Sequence, residues 1–284
     1  MSITIGVVGN GFVGKATSVL KCAPINVITY DINPYLCDPV GTTIKDLEKC
    51  DVIFVSVPTP MNKDGSPNVE IVRSVVLNIR EEIPNANIVV RSTVLPGTCE
   101  ELRCHFMPEF LTEKNYLLDF KCCKRWIFGM YPSENVEQEK ILLKQIIDTA
   151  QHEECINFRT TTFLTTKEAE MIKYIRNTYL AVKVSYFNEI SEYCKNKDID
   201  FETVRELAVQ DNRIGNSHTN VPGHDGKFGF GGTCFPKDTS ALLSDMKKLN
   251  MNTYILNSAV ARNLNVDRPE KDWESDVGRA VSEV

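Results

Sequence analysis

Near the start of the chain, Thr4-Ile5-Gly6-Val7-Val8 runs directly into Gly9-Asn10-Gly11-Phe12-Val13-Gly14, and Lys15–Lys21 follows with helical character. The order is apolar strand, G-x-G-x-x-G turn, helix, and each glycine has a physical reason to be there. Gly9 permits the tight turn, Gly11 lets the backbone approach a pyrophosphate, and Gly14 allows helix and strand to pack closely. The helix N-terminus offers free N–H groups and a positive dipole end. Phe12 and Val13 complete the fingerprint as cofactor-contacting positions. A second β-rich run, Asn26–Tyr30, ends at Asp31, twenty residues beyond Gly11. A carboxylate there accepts from a ribose 2′-hydroxyl and repels a 2′-phosphate, so the expected cofactor is NAD rather than NADP.

Working outward, the first half alternates strand and helix signals. Val52–Val57 is a buried-strand pattern closed by Pro58 and Pro60, Val69–Ile83 has helical periodicity, and Ile88–Val90 is strand-like. Trp126–Met130 and Cys155–Phe158 are further strand candidates around a helix over Val136–Ala150. Strands alternating with helices of this length indicate a doubly wound parallel sheet. The pattern changes near residue 165. Thr166–Asn196 contains no Gly or Pro and carries Ala169, Ile172, Ile175, Tyr179, Val182, Tyr186 and Ile190 at helical spacing. A helix of roughly 30 residues is long for a globular domain and suits a bridge between domains or subunits. Phe201–Gln210 is a shorter helix, and residues 215–232, rich in Gly, Pro, Asn and His, read as a functional loop. Thr239–Leu249 and Ile255–Leu264 look helical, and the last ~15 residues read as a polar segment that frays. The expected fold is therefore α/β: a Rossmann-like domain over residues 1–164, then a mainly helical central domain with one long helix over residues 165–284.

Bulk properties narrow the partners. The chain has 284 residues, 42% of them hydrophobic and 25% charged, with a formal net charge of -6. An acidic balance argues against nucleic acid or an anionic membrane surface. No run reaches the length of a membrane span, and the N-terminus lacks a secretory pattern, so a cytoplasmic location is expected. The ten cysteines include no C-x-x-C pair, so no structural zinc site and no other metal is expected. Most of these thiols read as small buried hydrophobes.

Four further segments occur in order after the glycine fingerprint. They are Ser92-Thr93-Val94-Leu95-Pro96-Gly97-Thr98, Pro108-Glu109-Phe110-Leu111-Thr112-Glu113, the helical stretch 168–189, and Gly229-Phe230-Gly231-Gly232-Thr233-Cys234-Phe235-Pro236-Lys237-Asp238. Together they resemble the nucleotide-sugar dehydrogenase family, which includes UDP-glucose and GDP-mannose 6-dehydrogenases. The resemblance covers essentially the whole chain, and the cysteine motif is its most specific part. It implies a four-electron, NAD-dependent oxidation of a sugar C6 alcohol, most simply UDP-glucose to UDP-glucuronate, through an aldehyde and a thioester on the cysteine.

Carried over position by position, the resemblance makes Cys234 the nucleophile, approachable after its glycine run. Lys173 and Asn177, four apart on the long helix, share a face and would stabilise the developing oxyanion. Asp238 would move a proton to or from water, and Glu113 and Thr93 would position that water. Thr93 and Lys237 also count among the cofactor-side positions. Glu109, Phe110, Leu111, Phe228 and Gly231 fall on the substrate side. Arg213 matches an arginine that reaches the substrate of a neighbouring subunit, which implies a homodimer paired along Thr166–Asn196. The same spacing leaves other substrates open, namely GDP-mannose or a UDP-N-acetylhexosamine. Hydroxyacid and phosphogluconate dehydrogenases lack the G-F-G-G-x-C nucleophile, so Cys234 argues against them. The departure from the family is length: its familiar members carry a second Rossmann-like domain that helps hold the nucleotide. The insertion His218–Gly226 is a candidate for compensation, and a catalytically impaired NAD-binding module that needs a partner is the alternative of another class.

Overall fold

The computed structural model describes residues 2–283, which fall into two compact units. The first is Met1–Thr59 with Val69–Lys173; the second is Pro60–Asn68 with Tyr174–Val284.

The first unit is built on a seven-stranded sheet: β1 (Ile3–Val8), β2 (Ile25–Tyr30), β3 (Val52–Val55), β4 (Ile88–Val90), β5 (His105–Phe106), β6 (Trp126–Met130) and β7 (Thr161–Thr165). Its order is β2-β1-β3-β4-β5-β6-β7. All neighbours are parallel except β5 and β6, which are antiparallel. Interleaved are α1 (Phe12–Thr17), α2 (Glu70–Glu82), α3 (Thr98–Glu101), α4 (Tyr116–Lys121) and α5 (Val136–His152). The central strands are apolar throughout because both faces are covered. Alternate residues divide between two cores: Ile5, Val7, Phe54 and Val89 pack with Leu143, Ile146 and Ile147 of α5. On the other face Val8, Ile53, Val55 and Val90 pack with Val72, Val76 and Ile79 of α2. This two-sided burial confirms the doubly wound reading, with one antiparallel pair in place of a wholly parallel sheet.

One strand expectation fails. Cys155–Phe158 is not a strand; it is the turn leaving α5, and β7 lies three residues further on at Thr161–Thr165. Ile156 is buried there, but the backbone joins no strand; the Asn157 amide donates to the Lys121 carbonyl at 2.8 Å. The Phe158 carbonyl instead accepts from the Trp126 indole at 2.7 Å. The true strand is threonine-rich and half-buried, so it carries little hydrophobic signal. The two-residue β5 and the short helices α3 and α4 are below the length at which periodicity can be read.

The long helix α6 (Thr166–Asn196) forms unbroken over 31 residues, as its lack of Gly and Pro requires. Lys173 is the last residue of the first unit, and Tyr174 opens the second. The second unit continues with α7 (Phe201–Ala208), α8 (Phe235–Lys248) and α9 (Tyr254–Arg262). α8 starts four residues earlier than its periodicity suggests, because Pro236 is tolerated in a first turn. The expected frayed terminus is instead folded. Trp273 and Ala280 are buried, the Met61 amide donates to the Ala280 carbonyl at 2.9 Å, and the Ser282 amide donates back to Met61 at 2.9 Å. A polar segment docks here because one tryptophan and a short β-bridge anchor it, features that composition averages away.

Candidate active site

In the first unit the glycine turn has the geometry that its spacing predicts. Gly9 has φ +88°, and a Cβ there would lie 2.7 Å from the Ser56 carbonyl oxygen. A Cβ on Gly14 would lie 1.9 Å from the Gly9 carbonyl oxygen, so turn and helix can close only with glycine at both positions. Gly11 differs: a Cβ there would meet nothing within 4 Å. Packing does not demand that glycine, and the space beside it is open to the close approach of a ligand. Phe12 and Val13 open α1, and the Phe12 ring meets Tyr116 edge-on at 6.2 Å. The Asp31 carboxylate is held by two amides, Asn10 at 2.7 Å and Asn33 at 2.8 Å. These bonds fix it at the end of β2, beside the glycine turn. The residues present thus fit a dinucleotide.

Arg91, to which the sequence drew no attention, lies beneath α1. It is fully buried and donates to Thr17 Oγ1 at 2.5 Å, with its guanidinium carbon 5.4 Å from the centroid of Phe120. Burial pulls it down to about 10, and no partner for its Nε exists among the described residues. Glu170 lies near the start of α6. Its two oxygens accept from the amides of Gly97 at 2.7 Å and Cys99 at 2.8 Å, tying the loop after Thr93 to α6. Burial raises its carboxyl above the ordinary value. No local motif announces either residue, because their partners are far away in sequence.

Glu109 and Lys173 form a buried ion pair, about 5% and 3% exposed as residues. Burial opposes the Glu109 charge, yet Lys173 and, further off, Arg91 leave its carboxyl below the ordinary glutamate value. The Leu111 amide donates to the same carboxylate at 2.9 Å, which fixes the Glu109–Leu111 corner and the Phe110 backbone within it. Thr93 is buried and Glu113 exposed on the loop before α4.

In the second unit Cys234 is the N-cap residue of α8 and is half-buried. Its sulfur lies 3.8 Å from Thr233 Oγ1. Asp238, one turn into α8, is 1% exposed. Its Oδ2 accepts from Asn177 Nδ2 at 2.6 Å and its Oδ1 from Lys237 Nζ at 2.5 Å. Asn177, Lys237 and Asp238 are therefore one cluster, at the helix end that carries Cys234. Arg213 is solvent-facing and paired with its neighbour Asp211. Phe228 is 55% exposed. In the loop His218–Gly226, His218 tilts against Phe235 with ring centroids 5.5 Å apart, and burial lowers its imidazole.

Three other thiols are unsuited to nucleophilic work. Burial pushes Cys50 and Cys104 up to about 12 and Cys99 well above its ordinary value. Among the described residues no group of three or more His, Cys, Asp or Glu could hold a metal ion, and no helix is long and apolar enough to cross a membrane.

Two sequence models match the chain: the NAD binding domain of the UDP-glucose/GDP-mannose dehydrogenase family over residues 39–147, and the central domain of that family over residues 167–265. The UDP-glucose 6-dehydrogenase of Pseudomonas aeruginosa is 32% identical over 235 residues, which is 76% of this chain and 49% of that protein. A solved UDP-glucose dehydrogenase from Pyrobaculum islandicum superposes with a TM-score of 0.78 at 26% identity, over 92% of this chain and 68% of that one. A GDP-mannose dehydrogenase structure from Pseudomonas aeruginosa gives a TM-score of 0.64 at 26% identity, with the same two coverages, 92% and 68%. The chain spans about half the length of the curated relatives it matches. Two domain models in the right order, with these relatives, place the chain in the UDP-glucose/GDP-mannose dehydrogenase family.

Proposed function

We propose that this chain oxidises the C6 alcohol of a nucleotide sugar to the carboxylate, with UDP-glucose as first candidate and Cys234 as the nucleophile. The observation that carries the reading is the α8 N-terminus. There a half-buried cysteine stands at the N-cap position, and a buried carboxylate one turn on is held by an amide and an ammonium.

NAD, held by the Gly9–Gly14 turn and Asp31, supplies the acceptor for the hydride lost in each of two oxidations. The rest falls to side chains. In the first oxidation the alcohol passes its hydroxyl proton to water and gives up a hydride, becoming the aldehyde. The Cys234 thiolate, which a helix N-terminus favours, then adds to the aldehyde carbon. Lys173 and Asn177 supply charge and a hydrogen-bond donor to the oxygen that becomes negative. Loss of a second hydride leaves a thioester. Water, oriented by Thr93 and Glu113, attacks the thioester carbon; Asp238 takes up the proton, and the C–S bond breaks to return the thiolate. Glu109 holds Lys173 in place, and Lys237 does the same for Asp238. Glu109, Phe110, Leu111, Phe228 and Gly231 are assigned to the substrate side.

A homodimer belongs to the same proposal. Ile175, Tyr179, Tyr186 and Tyr193 are each more than half exposed along one side of α6. Such a stripe favours association. Arg213, extended into solvent, would then serve the neighbouring subunit's substrate.

The test is NADH release on a panel of UDP-glucose, GDP-mannose and UDP-N-acetylhexosamines, with the acid product identified by mass. Two NADH per acid from one of them is the expected result. Cys234→Ala should abolish acid formation while NAD binding persists. An acid-forming Cys234→Ala variant would overturn the mechanism. NAD binding without oxidation of any nucleotide sugar would favour an impaired module.

A further inference from the structure

The Gly229–Gly232 turn that leads to Cys234 is gripped from behind by the segment after α9. Asn263, 1% exposed, makes a two-atom clip on Phe230: its Nδ2 donates to the Phe230 carbonyl at 2.9 Å, and its Oδ1 accepts from the Phe230 amide at 2.8 Å. The chain then widens into a single π-turn over Asn263–Asp267, in which the Arg268 amide donates to the Asn263 carbonyl at 2.8 Å. Such turns are uncommon and concentrate at functional sites. This one sets Arg268 one wide turn beyond Asn263, so both reach the glycine turn.

Arg268 is 3% exposed. A Cβ on Gly231 would fall 2.5 Å from its guanidinium carbon, so the guanidinium occupies the space that any side chain at 231 would need. Gly229, at φ +66°, has no room for a Cβ either, since Asn263 Oδ1 would lie at 2.3 Å. The guanidinium is itself fixed. It donates from Nε and Nη2 to the two oxygens of Asp272 at 2.9 and 2.8 Å, and from Nη2 to Asp225 at 2.6 Å. Asp225 belongs to the loop ahead of the glycine turn, and Lys227 donates to Asp272 at 2.7 Å. That loop, the glycine turn and the C-terminal segment are thus joined through one arginine.

We propose that Arg268 and Asn263 are positioning residues that hold the Gly229–Gly232 turn and thereby set the approach to the Cys234 sulfur. The loop ahead of the turn serves this support by supplying Asp225. Asn263 fixes the backbone of the turn, and Arg268 fills the space behind it, so substrate meets a preformed wall. This rests on the reading of Cys234 as nucleophile, but its consequence for that thiol can be measured without turnover.

The experiment compares wild type, Arg268→Lys and Asp225→Asn by iodoacetamide alkylation, with the rate at each cysteine followed by peptide mapping. Lysine keeps the charge but loses the planar fork. Asp225→Asn weakens one bond in a half-exposed position and serves if Arg268→Lys does not fold. The expected result is a change of about threefold or more at Cys234 alone, the other nine cysteines acting as internal references. If a nucleotide sugar is turned over, kcat should fall roughly tenfold with the KM for NAD unchanged. A wild-type rate at Cys234 in the folded variants overturns the proposal. So does an equal rise at all cysteines, which marks a general loosening. If wild type oxidises no nucleotide sugar, the proposed activity fails, while the alkylation pattern still decides the role of Arg268.

Discussion

At the scale of single residues, two carboxylates carry measurable consequences. Asp31 is held by the Asn10 and Asn33 amides at the end of β2. A ribose 2′-phosphate placed there would lose a charged hydrogen bond and gain repulsion, several kcal/mol in all. NADP should therefore bind roughly a hundredfold or more weakly than NAD. Calorimetric titration checks this, and equal affinities would remove Asp31 from the cofactor site. Glu109 is the second case. Lys173 holds its carboxyl below the ordinary value, so the ionised form is favoured in the fold. Its contribution to stability is present above the unfolded-state value of about 4.5 and is lost as pH falls through the lower folded value. Glu109→Gln leaves the Lys173 ammonium buried without that counter-charge, which should cost about 3–5 kcal/mol. Urea unfolding at neutral pH checks the loss, and an unchanged midpoint would show that the pair contributes nothing net.

At the scale of elements, the join between β5 and β6 is where the parallel run is interrupted, and a histidine secures it. His105 Nδ1 accepts from the Tyr131 amide at 3.0 Å, so the ring proton lies on Nε2 and is donated to Glu139 at 3.0 Å. Burial lowers the imidazole despite Glu139. The fold therefore favours neutral His105, while the unfolded chain takes up a proton below the ordinary value of 6.5. Stability from this element should be complete above pH 6.5 and fall as pH drops from there towards the lower folded value. Thermal melts between pH 7 and 5 check this, with His105→Asn expected to flatten the slope in that window; a slope equal to wild type would assign it to other groups. His105 stands in a two-residue strand, too short to read as an element from sequence. The long, strongly patterned elements were legible: Val136–His152 and Thr166–Asn196 lie where their periodicity puts them. Cys155–Phe158 resembles a strand in sequence because a short apolar turn packing inward has the pattern of a short buried strand.

At the scale of the whole molecule, the exposed stripe on α6 predicts self-association. Tyr179→Glu with Tyr186→Glu places two charges on that stripe without touching the opposite side, where Asn177, Ala181 and Asn188 are buried. Sedimentation velocity should show wild type as a dimer and the double variant as a monomer with its fold retained. A wild-type monomer that turns over substrate would sink both the dimer and the shared role of Arg213.

What the sequence by itself determined is whatever depends on neighbours along the chain. The Gly9–Gly14 turn with Asp31 is a local construction, since its strand, turn and helix are contiguous and the acid follows one βα step later. The face shared by Lys173 and Asn177 follows from helical spacing alone, and the identity of the cysteine motif is local too. Tertiary structure decided the partners. Only folding shows that Lys173 is matched by Glu109, and that Asn177 and Lys237 both bind Asp238. Only folding shows that Glu170 ties down the loop after Thr93, and that Arg268 fills the space behind Gly231. The same holds for the last residues, where polar composition suggested fraying but Trp273 and the Met61–Ala280 pairing hold the chain down. The reason is physical: a buried charge or a missing Cβ is explained by whatever occupies the adjacent space, and for these groups that occupant comes from a distant part of the chain.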